Sequence, residues 1–210
     1  MARAAHTPHL WSRSEYERMA EAGIFEPGVR MELIDGEILE TAPQGTRHFT
    51  AIRLIEDALR AIFGDGWDIR TQGPLAIDDR SEPEPDVAVV RGTPRDFRDA
   101  HPDSASLVVE VADTSLGFDR LRKKRLYART GIQEYWIVDL GAGQLEIYRR
   151  PEGDDYAEKR ILGSGDQISP LAAPDSRLAV SNLLPDLKGS DPFFAGFDLH
   201  LPRLHRIVLA

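Results

Sequence analysis

Three short apolar runs constrain this chain most: DVAVVR at 86–91, LVVEVA at 107–112 and EYWIVDL at 134–140. They are rich in β-branched and aromatic residues, and they lack a clean alternation of apolar and polar positions. That pattern predicts strands buried on both faces, in a sheet covered by helices on each side. Helical patterns lie where such a cover needs them. Residues 47–63 place Ile52, Ile55, Leu59 and Ile62 on one stripe stopped by Gly64, and 117–130 form a second helix with Gly131 just past its end. A short helix is predicted at 14–23, with Ser14 as cap, Glu17 three residues later and Gly23 at its end.

Shorter elements complete the order. In RMELIDGEILET the Asp35-Gly36 pair predicts a two-residue hairpin, because both turn positions need positive φ. With that turn Ile34 faces Glu37, so Glu32, Ile34, Glu37 and Leu39 share one face. Residues 67–77 read as a further strand, and 144–150 and 155–162 alternate like exposed meander strands. After 163 the chain reads as loop, with a short strand and turn at 176–185. The fold class is therefore α/β: a mixed β-sheet flanked by helices, with an N-terminal β-hairpin and a C-terminal β meander. Residues 1–185 form the domain, and the altered Gly, Pro and Phe content of 186–210 marks a C-terminal extension.

The acids inside the buried runs carry the chemistry. Asp86 opens a strand after the Pro85 bend, and Glu110 interrupts LVVEVA. An ionised carboxylate is costly to bury unless it is paired or bound to a cation. Asp86 and Glu110 at the ends of adjacent strands would converge on one point, and magnesium typically takes one or two protein carboxylates plus water and phosphate oxygens. The alternative is a structural pairing of Glu110 with Arg91 or Arg122. Asp119, Lys123 and Tyr127 recur at i, i+4 and i+8 and so line one helix face. Asp119–Lys123 reads either as a surface ion pair or as an ammonium placed over a phosphate. Glu37 is a solvated hairpin position or a carboxylate aimed at the site, and His48 a satisfied helix-end residue or a ligand.

Charge bears on what such a site could hold. The 210 residues carry a formal charge of -9, which argues against a broad charge-driven nucleic-acid coat. The imbalance is uneven, however. DRLRKKRLYAR at 119–129 holds six basic residues and one acid, whereas DDRSEPEPD at 78–86 holds five acids and one Arg. In the basic segment Arg120, Arg122, Lys124 and Arg125 are the candidates for contacts to backbone phosphates. The absence of Cys excludes disulfides, thiolate metal sites and a Cys nucleophile, so any metal should be oxygen-bound. No stretch approaches the ~18–20 uncharged residues of a membrane span, and the start lacks the apolar core of a signal peptide, which sets the expectation of a cytoplasmic protein without membrane contact. Neither a G-x-S-x-G elbow nor a Walker-type phosphate loop is present.

Taken in order, PEPDVAVV (83–90), LVVEVADTS (107–115), D-x-x-x-K-x-x-x-Y (119–127) and GIQEYWIVDL (131–140) resemble the PD-(D/E)XK nuclease superfamily. More narrowly they resemble the Uma2 (Uma-two) family of restriction-endonuclease-like proteins. ELIDGEI (32–38), the His48 helix start and the late meander ending near LLP (183–185) fit the same order, so the resemblance covers most of 14–185. It implies a restriction-endonuclease-like core in which Asp86 is the PD aspartate and Glu110 the next acidic metal ligand. The superfamily's usual Lys two residues after that Glu is replaced by Ala112, and the resemblance implies that Lys123, from the following helix, takes its place. Glu37, His48 and Asp119 are secondary candidates, while Tyr127, Tyr135 and Trp136 read mainly as packing residues.

The resulting expectation is an endonuclease that hydrolyses DNA phosphodiester bonds with Mg2+ or Mn2+ as cofactor. Asp86 and Glu110 are expected to hold the metal, and Lys123 to orient water or stabilise the transition state. Removing Asp86 or Lys123 is expected to abolish cleavage with the fold intact. A homodimer is expected because two nicks in a duplex need two sites. The alternative is a catalytically inactive nuclease-fold module binding nucleic acid or a protein partner, and a third reading has a partner protein supplying specificity.

Overall fold

The computed structural model describes residues 7–185. The extension expected at 186–210 lies outside the described residues. Helix α1 (Arg13–Glu21) leads to a hairpin of β1 (Met31–Ile34) and β2 (Glu37–Glu40), then to helix α2 (Thr46–Phe63). Strands β3 (Trp67–Thr71), β4 (Val87–Arg91), β5 (Leu107–Ala112), β6 (Glu134–Asp139), β7 (Gln144–Glu152) and β8 (Asp155–Gly163) form one six-stranded sheet in sequence order. Every neighbouring pair is antiparallel except β5 and β6, which run parallel. That parallel pair needs a crossover, supplied by one helical run: α3 (Leu116–Phe118), a π-helical turn (Asp119–Lys123) and α4 (Lys124–Arg129).

The expected architecture is therefore present, a mixed sheet with helices on both faces. On one face Ile52, Ile55 and Leu59 of α2 pack against Val87, Val109, Trp136 and Ile147. On the other, Tyr127 and Ala128 pack against Ala88, Val108, Tyr135 and Ile137. Each buried Val, Ile or Leu among them contributes on the order of 1.5–3 kcal/mol, which explains why β4, β5 and β6 carry apolar residues on both faces. Asp35 and Gly36 take φ of 55° and 80°, and Ile34 lies opposite Glu37, as the hairpin signal requires. Gly36 is needed on a second count, since a Cβ there would meet Leu10 Cβ at 2.8 Å.

Three local readings differ from the sequence expectation. Helix α1 is capped by Ser12, not Ser14: the Ser12 side chain and Glu15 form a reciprocal capping box. Two overlapping Ser-x-x-Glu patterns compete there, and main-chain bonds from Trp11 to Gly36 and from Arg13 to Asp79 fix the earlier one. The strand from 67 ends at Thr71, where Gln72 adopts a φ of 52°. The loop after 163 contains an unexpected short strand β9 (Gln167–Ile168); it pairs with β10 (Leu178–Ala179), which with the 3-10 turn at Val180–Leu183 is the short strand and turn expected at 176–185. No helix among the described residues is long and apolar enough to cross a membrane.

Candidate active site

The carboxyl end of β5 and the amino end of β4 meet because the two strands are antiparallel, with Val87 opposite Val109. This register brings Asp86 and Glu110 together. The Asp86 N–H lies 3.4 Å from Glu110 Oε2, and the Val111 N–H donates to Asp86 Oδ2 at 2.8 Å. His48, in the first turn of α2, puts Nε2 3.2 Å from the same Asp86 oxygen. Burial alone would lower the His48 pKa, but the bond and charge of Asp86, with Val111 and Asp113, together raise it, favouring an imidazolium beside Asp86.

Lys123 reaches this point from the π-helical turn. Its Nζ donates to Glu110 Oε1 at 3.0 Å and lies 3.2 Å from Glu32 Oε2 on β1. Tyr127, one turn further along, donates its hydroxyl to Glu110 Oε1 at 2.8 Å. Asp119 completes the buried face and accepts a bond from Ser115 Oγ at 2.6 Å. The Glu110 alternatives, Arg91 and Arg122, are engaged elsewhere: Arg91 lies over the Trp67 ring and Arg122 pairs with Glu37.

Four buried carboxylates, those of Glu32, Asp86, Glu110 and Asp119, thus surround one buried ammonium. Burial pushes Glu110 up to about 8; Lys123 opposes the shift and the neighbouring acids reinforce it. Burial likewise pushes Asp119 up to about 6, against the pull of Lys123 and Ser115. For Lys123 burial alone would lower the pKa, but Glu110, Glu32, Asp119 and Asp86 together raise it. The ammonium is therefore permanent, and the cluster retains negative charge in excess.

The cluster opens into a cleft of about 480 Å³. Seven acids line it (Glu32, Glu40, Glu84, Asp86, Glu110, Asp113 and Asp119) against Arg30, Lys123 and His48, with Phe118 on one wall. Among the described residues, no group of three or more His, Cys, Asp or Glu is arranged to hold a metal ion. A pair of adjacent carboxylates with surplus negative charge nonetheless suits a hard divalent cation that completes its shell with water and phosphate oxygens.

The structure brings Asp86, Glu110, Lys123, His48 and Asp119 together. It does not bring Glu37, which is exposed outside the cleft and accepts a bond from Arg122 Nη1 at 2.6 Å. Nor do the four basic candidates line the cleft. Arg120 pairs with the buried Glu146 at 2.5 Å, Lys124 with Asp155 at 2.7 Å, Arg125 with Asp154 at 3.4 Å, and Arg122 with Glu37. Sequence reasoning missed Glu32 and Tyr127. Both had a signal: Glu32 shares the hairpin face singled out for Glu37, and a buried tyrosine hydroxyl needs a partner.

Similarity to known proteins bears on the fold and the family. No curated protein matches the chain. A solved structure described as a putative nuclease belonging to DUF820, from Anabaena variabilis ATCC 29413, superposes with a TM-score of 0.59. The two share 18% identity over 73% of this chain and 88% of the other, a likeness of fold. The family model Uma2, described as "Putative restriction endonuclease", matches residues 13–181. A match of that extent, over the hairpin, both helical layers and the sheet, shows that this chain belongs to the Uma2 family.

Proposed function

We propose that this protein is a divalent-metal-dependent endonuclease that hydrolyses DNA phosphodiester bonds in the acidic cleft. The observation that carries the reading is the ammonium of Lys123, held between Glu110 and Glu32 beside Asp86. It supports the assignment of Lys123 to the role left open by Ala112. Asp86 and Glu110 would hold Mg2+ or Mn2+, which when bound lowers the pKa of a water and offsets phosphate charge. Lys123 then donates an N–H to a non-bridging phosphate oxygen or to the attacking water, stabilising charge that develops in the transition state. Glu32 aims the ammonium, His48 orients Asp86, and Asp119 keeps Lys123 protonated. Arg122, whose guanidinium lies 5.6 Å from the Phe118 ring on the cleft wall, exchanges Glu37 for a flanking phosphate. Arg120, Lys124 and Arg125 serve chiefly in their ion pairs. Two copies acting together would cut both strands.

The test is plasmid cleavage in Mg2+ and in Mn2+ by the wild type and by Asp86→Asn, whose amide keeps the shape of the carboxylate. Loss of about a thousand-fold is expected, the scale of removing a group that acts on transition-state charge. Undiminished cleavage by Asp86→Asn removes the mechanism. Lys123→Ala is a poorer probe: it leaves Glu110 and Glu32 buried without their cation, a loss of about 3–5 kcal/mol.

One observation favours a second reading, a nuclease-fold module that binds nucleic acid or a protein partner without cutting. Glu110 Oε1 already accepts bonds from both Lys123 and Tyr127, so its carboxylate is satisfied without a metal. Calorimetric titration with Mg2+ and Mn2+ separates the two, since heat of binding that disappears in Asp86→Asn belongs to the nuclease.

A further inference from the structure

A second concavity, of about 270 Å³, is lined by Arg149, Arg160, Gln167, Ile168, Ser169 and Arg177. Strand register builds it. Arg160 in β8 lies opposite Ile147, whose other partner is Trp136, so Arg160 projects on the sheet face that carries α2. Arg149 lies two residues along β7 on the same face, opposite Glu134. Arg177 directly precedes β10, whose partner β9 supplies Gln167 and Ile168. Glu134 begins β6, whereas the acidic cleft lies where Glu110 and Ala112 end β5. With β5 and β6 parallel, the two concavities occupy opposite ends of the central strands.

The pocket holds more positive charge than its one carboxylate partner offsets. Arg149 is neutralised from behind: its Nη2 donates to the buried Glu134 at 2.5 Å and to the Ser169 carbonyl at 2.7 Å. Arg177 donates to Ser169 Oγ at 3.0 Å, which fixes its fork beside the pocket. Among the described residues, neither Arg160 nor Arg177 has a carboxylate within ion-pair distance, and no carboxylate lines the pocket. The basic helical segment differs, since Arg120, Arg122, Lys124 and Arg125 each have an acidic partner. Three guanidiniums against one carboxylate leave a charge of two in a protein that totals -9. A carboxylate or a phosphodiester brings one negative charge. A phosphomonoester brings roughly 1.5 to 2 at neutral pH, and guanidinium forks match its oxygens in bidentate fashion.

We propose that this pocket binds a phosphomonoester dianion, held by Arg160 and Arg177 with Arg149 behind them. Inorganic phosphate, a nucleotide and the phosphorylated end of a strand all carry that group. The site is separate from the cleft and does not depend on the cleavage reading.

Calorimetric titration of the full-length protein in EDTA tests it with four probes: inorganic phosphate, adenosine monophosphate, a 5′-phosphorylated oligonucleotide and its 5′-hydroxyl twin. Phosphate binding is expected, weakened at least about ten-fold in Arg160→Ala and in Arg177→Ala, the loss of one charge-assisted contact. Both side chains are exposed, so an unchanged melting temperature verifies that the variants fold. Tighter binding of the phosphorylated oligonucleotide than of phosphate identifies a strand end as the source; equal or tighter binding of the mononucleotide identifies a small ligand. Either result supports the pocket. Absence of binding, insensitivity to both Arg variants, equal affinity for the two oligonucleotides, or loss of binding in Asp86→Asn each overturns it.

Discussion

The two concavities of this protein are electrical opposites built on one sheet. The cleft at the end of β5 gathers seven acids around one lysine, one arginine and one histidine, four of the acids buried. The pocket beside the start of β6 gathers three arginines and no acid. The difference lies in where the charge is stored. In the cleft the carboxylates are desolvated and repel one another, so the folded state holds a charge arrangement that a cation would relieve. In the arginine pocket the only buried charge, Glu134, is already matched by Arg149, and the remaining guanidiniums reach solvent. The first region therefore keeps surplus negative charge inside the fold; the second keeps its surplus positive charge at the surface. The net charge of -9 averages over both and describes neither.

The sharpest way to break this comparison is Asp86→Asn. It should separate activity from stability, with cleavage falling about a thousand-fold while the metal-free protein becomes more stable above neutral pH. Melting curves in EDTA alongside plasmid cleavage check both halves. A variant that is both inactive and less stable would mean that Asp86 is chiefly structural.

Next in size is the dependence of stability on pH. Glu110 has a folded pKa of about 8 against an ordinary 4.5, and Asp119 about 6 against 3.8. Groups raised in the folded state contribute stability that is complete below their ordinary values and disappears as pH rises through the folded ones. The metal-free protein should accordingly lose melting temperature as pH rises from about 4 to 8, most steeply near pH 5 to 6 where both acids contribute, and level off above about 8 once Glu110 is ionised in the folded state as well. Mg2+ should restore it, with a larger increment at pH 8.5 than at pH 6, because the cation displaces the proton. A Mg2+ increment that is flat with pH would show that Glu110 does not hold the metal.

Much of this was legible in the sequence, for physical reasons that differ between the two regions. Burial on both faces leaves an imprint in the chain itself, so β4, β5 and β6 are visible as apolar runs, and Glu110 stands out as a charge within one of them. The i, i+4, i+8 spacing of Asp119, Lys123 and Tyr127 likewise survives folding, because a helix face is a local property. Which hairpin glutamate turns inward is not local. Glu32 and Glu37 share a face, but the Glu84 N–H and Lys123, both distant in sequence, meet the Glu32 carboxylate, whereas Glu37 meets Arg122 at the surface. The arginine pocket had no signature at all. Arg149, Arg160 and Arg177 belong to no motif, and only the β7–β8 register and the β9–β10 pair bring them together. Charge sites made by a helix are readable in sequence; charge sites made by strand pairing at long range are not.

The smallest expected effect concerns how the cleft tolerates its own acids. Tyr127 is fully buried, and burial together with Glu110 raises its hydroxyl pKa far above the ordinary value, so it remains a donor at any working pH. In Tyr127→Phe, Glu110 Oε1 keeps Lys123 as a donor but loses the bond from the hydroxyl. With one partner left, the cost should fall near 1 kcal/mol, the low end for a buried acceptor. The carboxylate form of Glu110 loses a stabilising donor, so its pKa should rise further and the acid limb of the cleavage profile should move to higher pH. The maximal rate should drop less than about ten-fold, as expected for a positioning residue about 1.4 kcal/mol or less from the chemistry. A hundred-fold loss with no movement of the acid limb would instead place the Tyr127 hydroxyl on the reacting atoms, and the cleft would then contain a second proton donor beside Lys123.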